Sequence, residues 1–156
     1  MRVLSFCLLF LLICFASSLL LVSCKTTYRT ININSISEQE KQKVYNFGKR
    51  IAESCKTRQF IQISEKEATK NLAELSLEEM QHFCDVIDKR NGKFIDMKLI
   101  EVIDETFAGN SKVYRYKANF ERNDFLVEVR IWLRTDGKFQ GIIWKEWINE
   151  YIPYKK

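Results

Sequence analysis

The chain has 156 residues, with 25 Lys and Arg against 20 Asp and Glu and a formal net charge of +5 when its one His is neutral. Acids and bases are interleaved, and no Lys/Arg cluster of the kind that tracks phosphates occurs, which argues against nucleic acid as a partner. No triad spacing, metal-ligand cluster, P-loop or dinucleotide-binding glycine pattern is present, so no catalytic residue, metal or cofactor is expected.

Met1-Arg2 is a basic start, and Val3 to Val22 is an unbroken run of apolar and small residues. The run closes on Leu21-Val22-Ser23-Cys24 before the chain turns polar at Lys25-Thr26-Thr27. A basic start, an apolar stretch and a small residue before the cut make an export signal. With a cysteine directly after the small residue, the segment resembles a bacterial lipoprotein signal, whose lipobox ends in a lipidated cysteine. That resemblance implies cleavage before Cys24, a diacylglyceryl thioether on its sulfur and an acylated amine, so that the bilayer is one partner. Two other readings stay open. About 20 apolar residues are enough to span a bilayer as an uncleaved helix, or the leader is a plain secretory signal and Cys24 is incidental. All three put residues 25–156 outside the cytoplasm.

The organisation read from this is a signal peptide over 1–23, the lipidated cysteine and a Thr/Asn/Ser-rich tether over 24–36 whose alternating Ile31 and Ile33 suggest a short extended piece at its end, and a single domain over 37–156. Removing the leader leaves one domain's worth of chain, enough to fold alone. Cys7 and Cys14 leave with the leader. Cys55 and Cys84 remain, both in predicted helices. In an oxidising compartment they can pair; the alternative is two small buried hydrophobes.

Ser37-x-x-Glu40 is a capping box, and Val44, Phe47, Ile51 and Cys55 follow at helical spacing, predicting an amphipathic helix over about 38–56. A second box, Ser64-x-x-Glu67, predicts a short helix to about Leu72. A third, Ser76-x-x-Glu79, opens a helix carrying Leu77, Met80, Phe83/Cys84 and Ile87 that stops at Asn91-Gly92. His82 lies on this helix, with no partner at ligand or triad spacing, and reads as a surface residue.

After Gly92 the apolar period changes to two. Ile95, Met97 and Leu99 alternate with Phe94, Asp96 and Lys98, and Ile100–Ile103 blurs the pattern as a bulge would. Ala108-Gly109-Asn110-Ser111 signals a hairpin. Tyr114, Tyr116, Ala118 and Phe120 then face one way and Arg115, Lys117, Asn119 and Glu121 the other. Asn123-Asp124 turns the chain again. Phe125, Val127, Val129, Ile131 and Leu133 alternate with Glu128, Arg130, Trp132 and Arg134. Asp136-Gly137, the favoured type I′ pair, leads into a last strand over about 138–149. Helices followed by strands predict an α+β domain: three helices packed on one face of a four-stranded antiparallel meander whose other face is wet.

Three strings resemble the cystatin-like α+β fold of the nuclear transport factor 2-like superfamily, especially its small exported bacterial members. They are Asn91-Gly92-Lys93-Phe94-Ile95-Asp96-Met97, the pair Tyr114–Phe120 with Val127–Ile131, and Asp136-Gly137-Lys138-Phe139-Gln140-Gly141-Ile142. The resemblance covers about residues 38–149. It implies a sheet curved into a cone around the helices, with a pocket at the open end lined by Met97, Tyr114, Tyr116 and Trp144. The fold hosts enzymes, binders and assembly modules alike.

Catalytic members of that superfamily set a carboxylate base against an oxyanion donor. Glu101, in phase with Ile95, Met97 and Leu99, is the nearest candidate base here, and the tyrosines are the candidate donors. The opposite sheet face suggests a different activity. Arg115, Lys117, Glu128, Arg130 and Arg134 form a charged ladder around Trp132, and Trp with Arg is the composition of interface hot spots. The expectation is a membrane-anchored, non-catalytic envelope module. It would bind a protein partner, or a second copy of itself, through this face. A small apolar or aromatic ligand in the cone is the alternative, and an enzyme using Glu101 and a tyrosine comes third.

Overall fold

A computed structural model describes residues 28–105, 110–122 and 126–154. The signal-peptide segment, Cys24, the Ala108-Gly109 half of one hairpin signal and the Asn123-Asp124 turn lie outside these residues.

Helix α1 (Glu38–Thr57) starts where expected. The Ser37 hydroxyl accepts from the Glu40 N–H at 3.2 Å, Glu38 and Glu40 sit in the positive first turn, and Arg58 ends it at φ 60°. The reciprocal half of this capping box is missing. The Glu40 carboxylate instead accepts from Lys112 Nζ at 2.6 Å and from the Tyr114 hydroxyl. The box at α3 (Leu77–Asn91) is complete in both directions, and Gly92, at φ 76°, closes it.

The middle helix is displaced. The Ser64-x-x-Glu67 box makes only a turn, and the helix, α2, runs over Lys70–Ala73 with Thr69 as its cap. A sheet contact overrides the local signal. Phe139 N–H donates to the Glu67 carbonyl at 2.9 Å, and Thr69 N–H donates to the Phe139 carbonyl at 2.8 Å. Ala68 is thereby held in a parallel bridge with Phe139, and Thr69 is extended.

Among the described residues the sheet has five strands, not four, in the order β1-β2-β3-β4-β5, antiparallel throughout. They are β1 (Arg29–Ile31), β2 (Phe94–Glu105), β3 (Ser111–Phe120), β4 (Val127–Arg134) and β5 (Phe139–Glu146). The additional strand comes from the segment read as a tether. Arg29 pairs with Asp104 and Ile31 with Val102, and a short 3₁₀ turn over Ile33–Ser35 leads into α1.

Strand β2 carries two register shifts, at Phe94/Asp96 and Leu99/Glu101. The first turns Phe94 and Met97 inward and leaves Ile95 58% exposed. The second moves Glu101 to the face opposite Met97, across from Arg115. At the β4–β5 turn Gly137 has φ 80°, while Asp136 is not at positive φ. Arg134 N–H donates to the Lys138 carbonyl and Gly137 N–H to the Arg134 carbonyl. This is a three-residue loop with a left-handed glycine rather than the expected two-residue I′ turn.

Helices α1 and α3 cover the inner face of the sheet. Phe47 stacks on Phe139 with centroids 3.8 Å apart. A Cβ placed on Gly48 would come within 2.6 Å of Ile131 Cδ1 and 2.7 Å of Met97 Cε. The helix therefore lies so close to the sheet that a methyl at position 48 would have to push the ends of these two side chains aside. Cys55 and Cys84 are joined, Cα atoms 5.0 Å apart, and tie α1 to α3.

Two consequences are measurable. Gly48→Ala overfills this contact and should lower stability by about 1–2 kcal/mol in urea melts, even though alanine is the better helix former. An unchanged midpoint would mean the inner face has room to spare. Replacing Cys55 and Cys84 by Ala opens a loop of 29 residues' separation and should remove about 3 kcal/mol. Reductant on the parent chain should reproduce that shift, and a midpoint insensitive to both treatments would contradict it.

Candidate functional site

The inner face holds no open cone among the residues proposed to line it. Met97, Tyr114 and Tyr116 are 4%, 0% and 1% exposed and belong to the main core. Burial raises the Tyr114 phenol far above its ordinary range, and the contact with Glu40 adds to this; burial alone does most of the same to Tyr116. Neither hydroxyl is positioned to serve a reacting substrate. Glu101 lies on the other side of the sheet and accepts from Arg115 Nη1. The proposed base and the proposed donors are thus separated by the sheet itself, because the Leu99/Glu101 bulge reverses the phase of β2. Trp144 alone of the pocket candidates borders an open depression.

The expected wet face is also dry. Arg115, Glu128 and Arg130 are 0%, 0% and 1% exposed. They form one network: Arg115 Nε donates to Glu128 at 2.6 Å, and Arg130 Nε donates to the same oxygen. Residues 147–154 form a strap that lies over them without regular structure. Arg115 Nη2 donates to the Ile148 carbonyl at 2.7 Å, and Arg130 Nη1 to the Ile152 carbonyl at 2.6 Å. The Arg115 guanidinium stacks over Trp147 at 4.5 Å and the Arg130 guanidinium over Tyr151 at 4.5 Å. Tyr151 packs with Ile103 and Val113, and its hydroxyl donates to Glu105. Trp132 is half-buried, its indole N–H donating to Glu105 at 3.1 Å and its ring 6.4 Å from Tyr154.

Only the margins of the predicted ladder reach solvent. Lys117 is half-buried above Trp147, and Arg134 is exposed beside Asp136. His82 is exposed on α3. The strap had a signal in the sequence: Trp147, Tyr151, Ile152 and Tyr154 continue the apolar composition past the last strand. The expected strand over about 138–149 runs past the observed end at Glu146 and takes in only Trp147–Asn149 of the strap, because apolar runs do not distinguish a strand from a covering segment.

The electrostatics of the network follow from its geometry. Burial alone would raise the Glu128 carboxyl, but hydrogen bonds and charge from Arg115 and Arg130 outweigh it and hold the group below its usual range. Lys145, 3.9 Å from Glu128, is pushed down by burial and by Arg130.

The open feature lies at the sheet edge. Strand β5 is the terminal strand, and past Phe139 its outer side has no sheet neighbour among the described residues. Beside it runs a groove of about 480 Å³ floored by Ile51, Ile63, Met80, Phe83, Ile142 and Trp144, with Leu75, Glu79, Lys145 and Tyr154 around it. Phe83 and Trp144 stack at 4.6 Å. The buried Trp144 indole N–H has no hydrogen-bond partner. The groove continues into a depression of about 770 Å³ along residues 60–65 and 73–77, sharing Ile63, Leu75 and Met80 with it. Leu75 and Leu77 stand 40% and 62% exposed beside it.

Among the described residues no cluster of His, Cys, Asp or Glu could hold a metal ion, and no helix is long and apolar enough to cross a membrane. No protein-family model, curated protein or solved structure matches the chain. The molecule is an α+β domain with an open five-stranded sheet, and its site has to be read from its own residues.

The Glu128 network predicts an acid limb. Its folded pKa lies below the unfolded one, near 4.3, so its stabilisation is present above that value. It is lost as pH falls through the folded pKa. Glu128→Gln should flatten this limb in pH-dependent melts and cost about 3–5 kcal/mol at neutral pH, because Arg130 stays buried without its anion and Arg115 keeps only Glu101. A variant with the parent's acid limb would show that other carboxylates cause it.

Proposed function

We propose that the chain is an exported, lipid-anchored, non-catalytic binding module of a bacterial cell envelope. Its working surface is the groove beside β5, and its partner is a protein that offers an extended apolar segment. The observation that carries this reading is the coincidence of an unpaired strand edge with an apolar, aromatic-floored groove. An extended chain added to such an edge gains main-chain hydrogen bonds from the strand, while alternate side chains enter the groove and supply specificity. Exposed edges left without charge or cover invite pairing, and Ile142 to Trp144 offer neither.

The sheet face is the weaker surface for a partner. Its central Arg115, Glu128 and Arg130 are already satisfied by the strap. Catalysis is disfavoured by the separation of Glu101 from Tyr114 and Tyr116 on opposite faces of the sheet.

A small apolar or aromatic ligand in the same groove is the second reading. The groove's size falls in the ordinary range of ligand pockets, and the buried indole N–H of Trp144, which lines it, has no hydrogen-bond partner. One experiment separates the two. A photoreactive side chain replaces Leu75 in one chain and Lys56, exposed on α1, in another, and both are irradiated in intact envelopes. A discrete protein adduct at Leu75 that disappears with Trp144→Ala supports the protein partner. A small mass increment in its place supports the ligand. Equal labelling at both positions, or none at Leu75, would rule out the groove as a working surface.

A further inference from the structure

The domain begins almost at its anchor. Residue 28 already packs on the domain: the Tyr28 hydroxyl donates to the Tyr151 carbonyl at 3.0 Å, and the two rings meet edge-on at 5.0 Å. Arg29 is the first residue of β1. Only Lys25, Thr26 and Thr27 separate Cys24 from this point. Fully extended, that connection spans no more than about 14 Å, less than two Debye lengths at physiological ionic strength. A lipid on Cys24 therefore holds the Tyr28 corner of the domain at the bilayer surface.

The strap lies at that corner, and its outer side suits such a surface. Ile152 and Tyr154 are 52% and 63% exposed, and Tyr28 is 37% exposed. Tyrosines with one apolar and one wet end are the residues that settle at headgroup level. The charge nearby is basic. The Arg29 side chain is 79% exposed, Lys25 precedes it, and Lys155 and Lys156 follow the strap. The facing acids are Asp104, which pairs with Arg29 at 3.1 Å, and exposed Glu150. The strap is also fixed from beneath, since Tyr151 sits between Arg115 and Arg130 and two strap carbonyls accept from them. Its outward side chains are thus held in place before any contact is made, and docking need not order them.

We propose that the strap face, through Tyr28, Ile152 and Tyr154, lies on a bilayer surface bearing anionic headgroups. The proposal rests on the lipid-anchor reading of Cys24. It departs from a module hanging on a loose tether, because three residues are too few to let the domain turn freely away from the surface.

The test uses the full-length lipidated chain reconstituted in vesicles of phosphatidylethanolamine and phosphatidylglycerol. A benzophenone side chain replaces Ile152 in one sample. In another it replaces Val86, 52% exposed on α3 across the sheet. Phospholipid adducts should form several-fold more at 152 than at 86. They should fall in phosphatidylcholine vesicles and in high salt, where the electrostatic part is screened. Acyl labelling and vesicle flotation are read on the same samples. A chain that is acylated and floats but gives equal or no adduct at 152 overturns the docked face and leaves the anchor standing. A chain with no acyl label on Cys24 overturns both.

Discussion

Two guanidinium groups without access to water set the terms for this fold. Arg115 and Arg130 face each other across β3 and β4, and Glu128 supplies one negative charge between them. Each guanidinium carries five donors, far more than one carboxylate accepts. The remainder go to Glu101 and to the Ile148 and Ile152 carbonyls. Without residues 147–154 the network would keep its charges but lose acceptors, aromatic cover and its low-dielectric setting. The strap is therefore a structural member of the sheet's outer layer. A buried ion network of this kind does not by itself add stability over an apolar equivalent. What it does impose is position: only a segment with carbonyls and rings at the right spacing satisfies it.

The same network explains which parts of the fold were legible in the sequence. Helix limits were readable because capping is local: Ser37 and Ser76 act within three residues of themselves. The inward residues of β3 and β4 were readable because Tyr114, Tyr116, Val129 and Ile131 keep strict period two. The outward residues misled for the same reason. Alternation of charged with apolar residues signals a solvated face only when nothing covers it, and the covering segment here is far along the chain from Arg115. The displaced α2, the added β1 and the Glu101 reversal have one cause in common. Each is decided by a partner strand (Phe139, Asp104 and Val102, Arg115) and not by neighbours in sequence.

The groove was less legible still. The sequence reading puts Trp144 in a pocket inside the sheet's curve, whereas it borders a groove at the sheet edge. Gly48 closes that space by letting α1 approach to contact distance. The opening lies instead where α2 has been drawn aside by Phe139. Leu75, Met80 and Phe83 then border β5 with nothing further to cover them among the described residues. No periodicity in one segment could announce this, since the groove is built from four separate parts of the chain.

The two faces of the sheet and its edge thereby acquire different fates from a few residues. The inner face is consumed by the core. The centre of the outer face is consumed by the strap, whose aromatic underside stacks on the arginines and whose outer side exposes Ile152 and Tyr154. Among the described residues, the outer side of β5 past Phe139 is left without a sheet neighbour, beside the apolar floor of the groove. A longer strap that continued along β5 would have sealed the edge, and the chain instead turns across the sheet after Glu146, with Trp147 N–H donating to the Leu126 carbonyl at 2.8 Å. That turn commits residues 147–154 to the arginine pair. The edge stays open because the buried charges have the stronger claim on the strap.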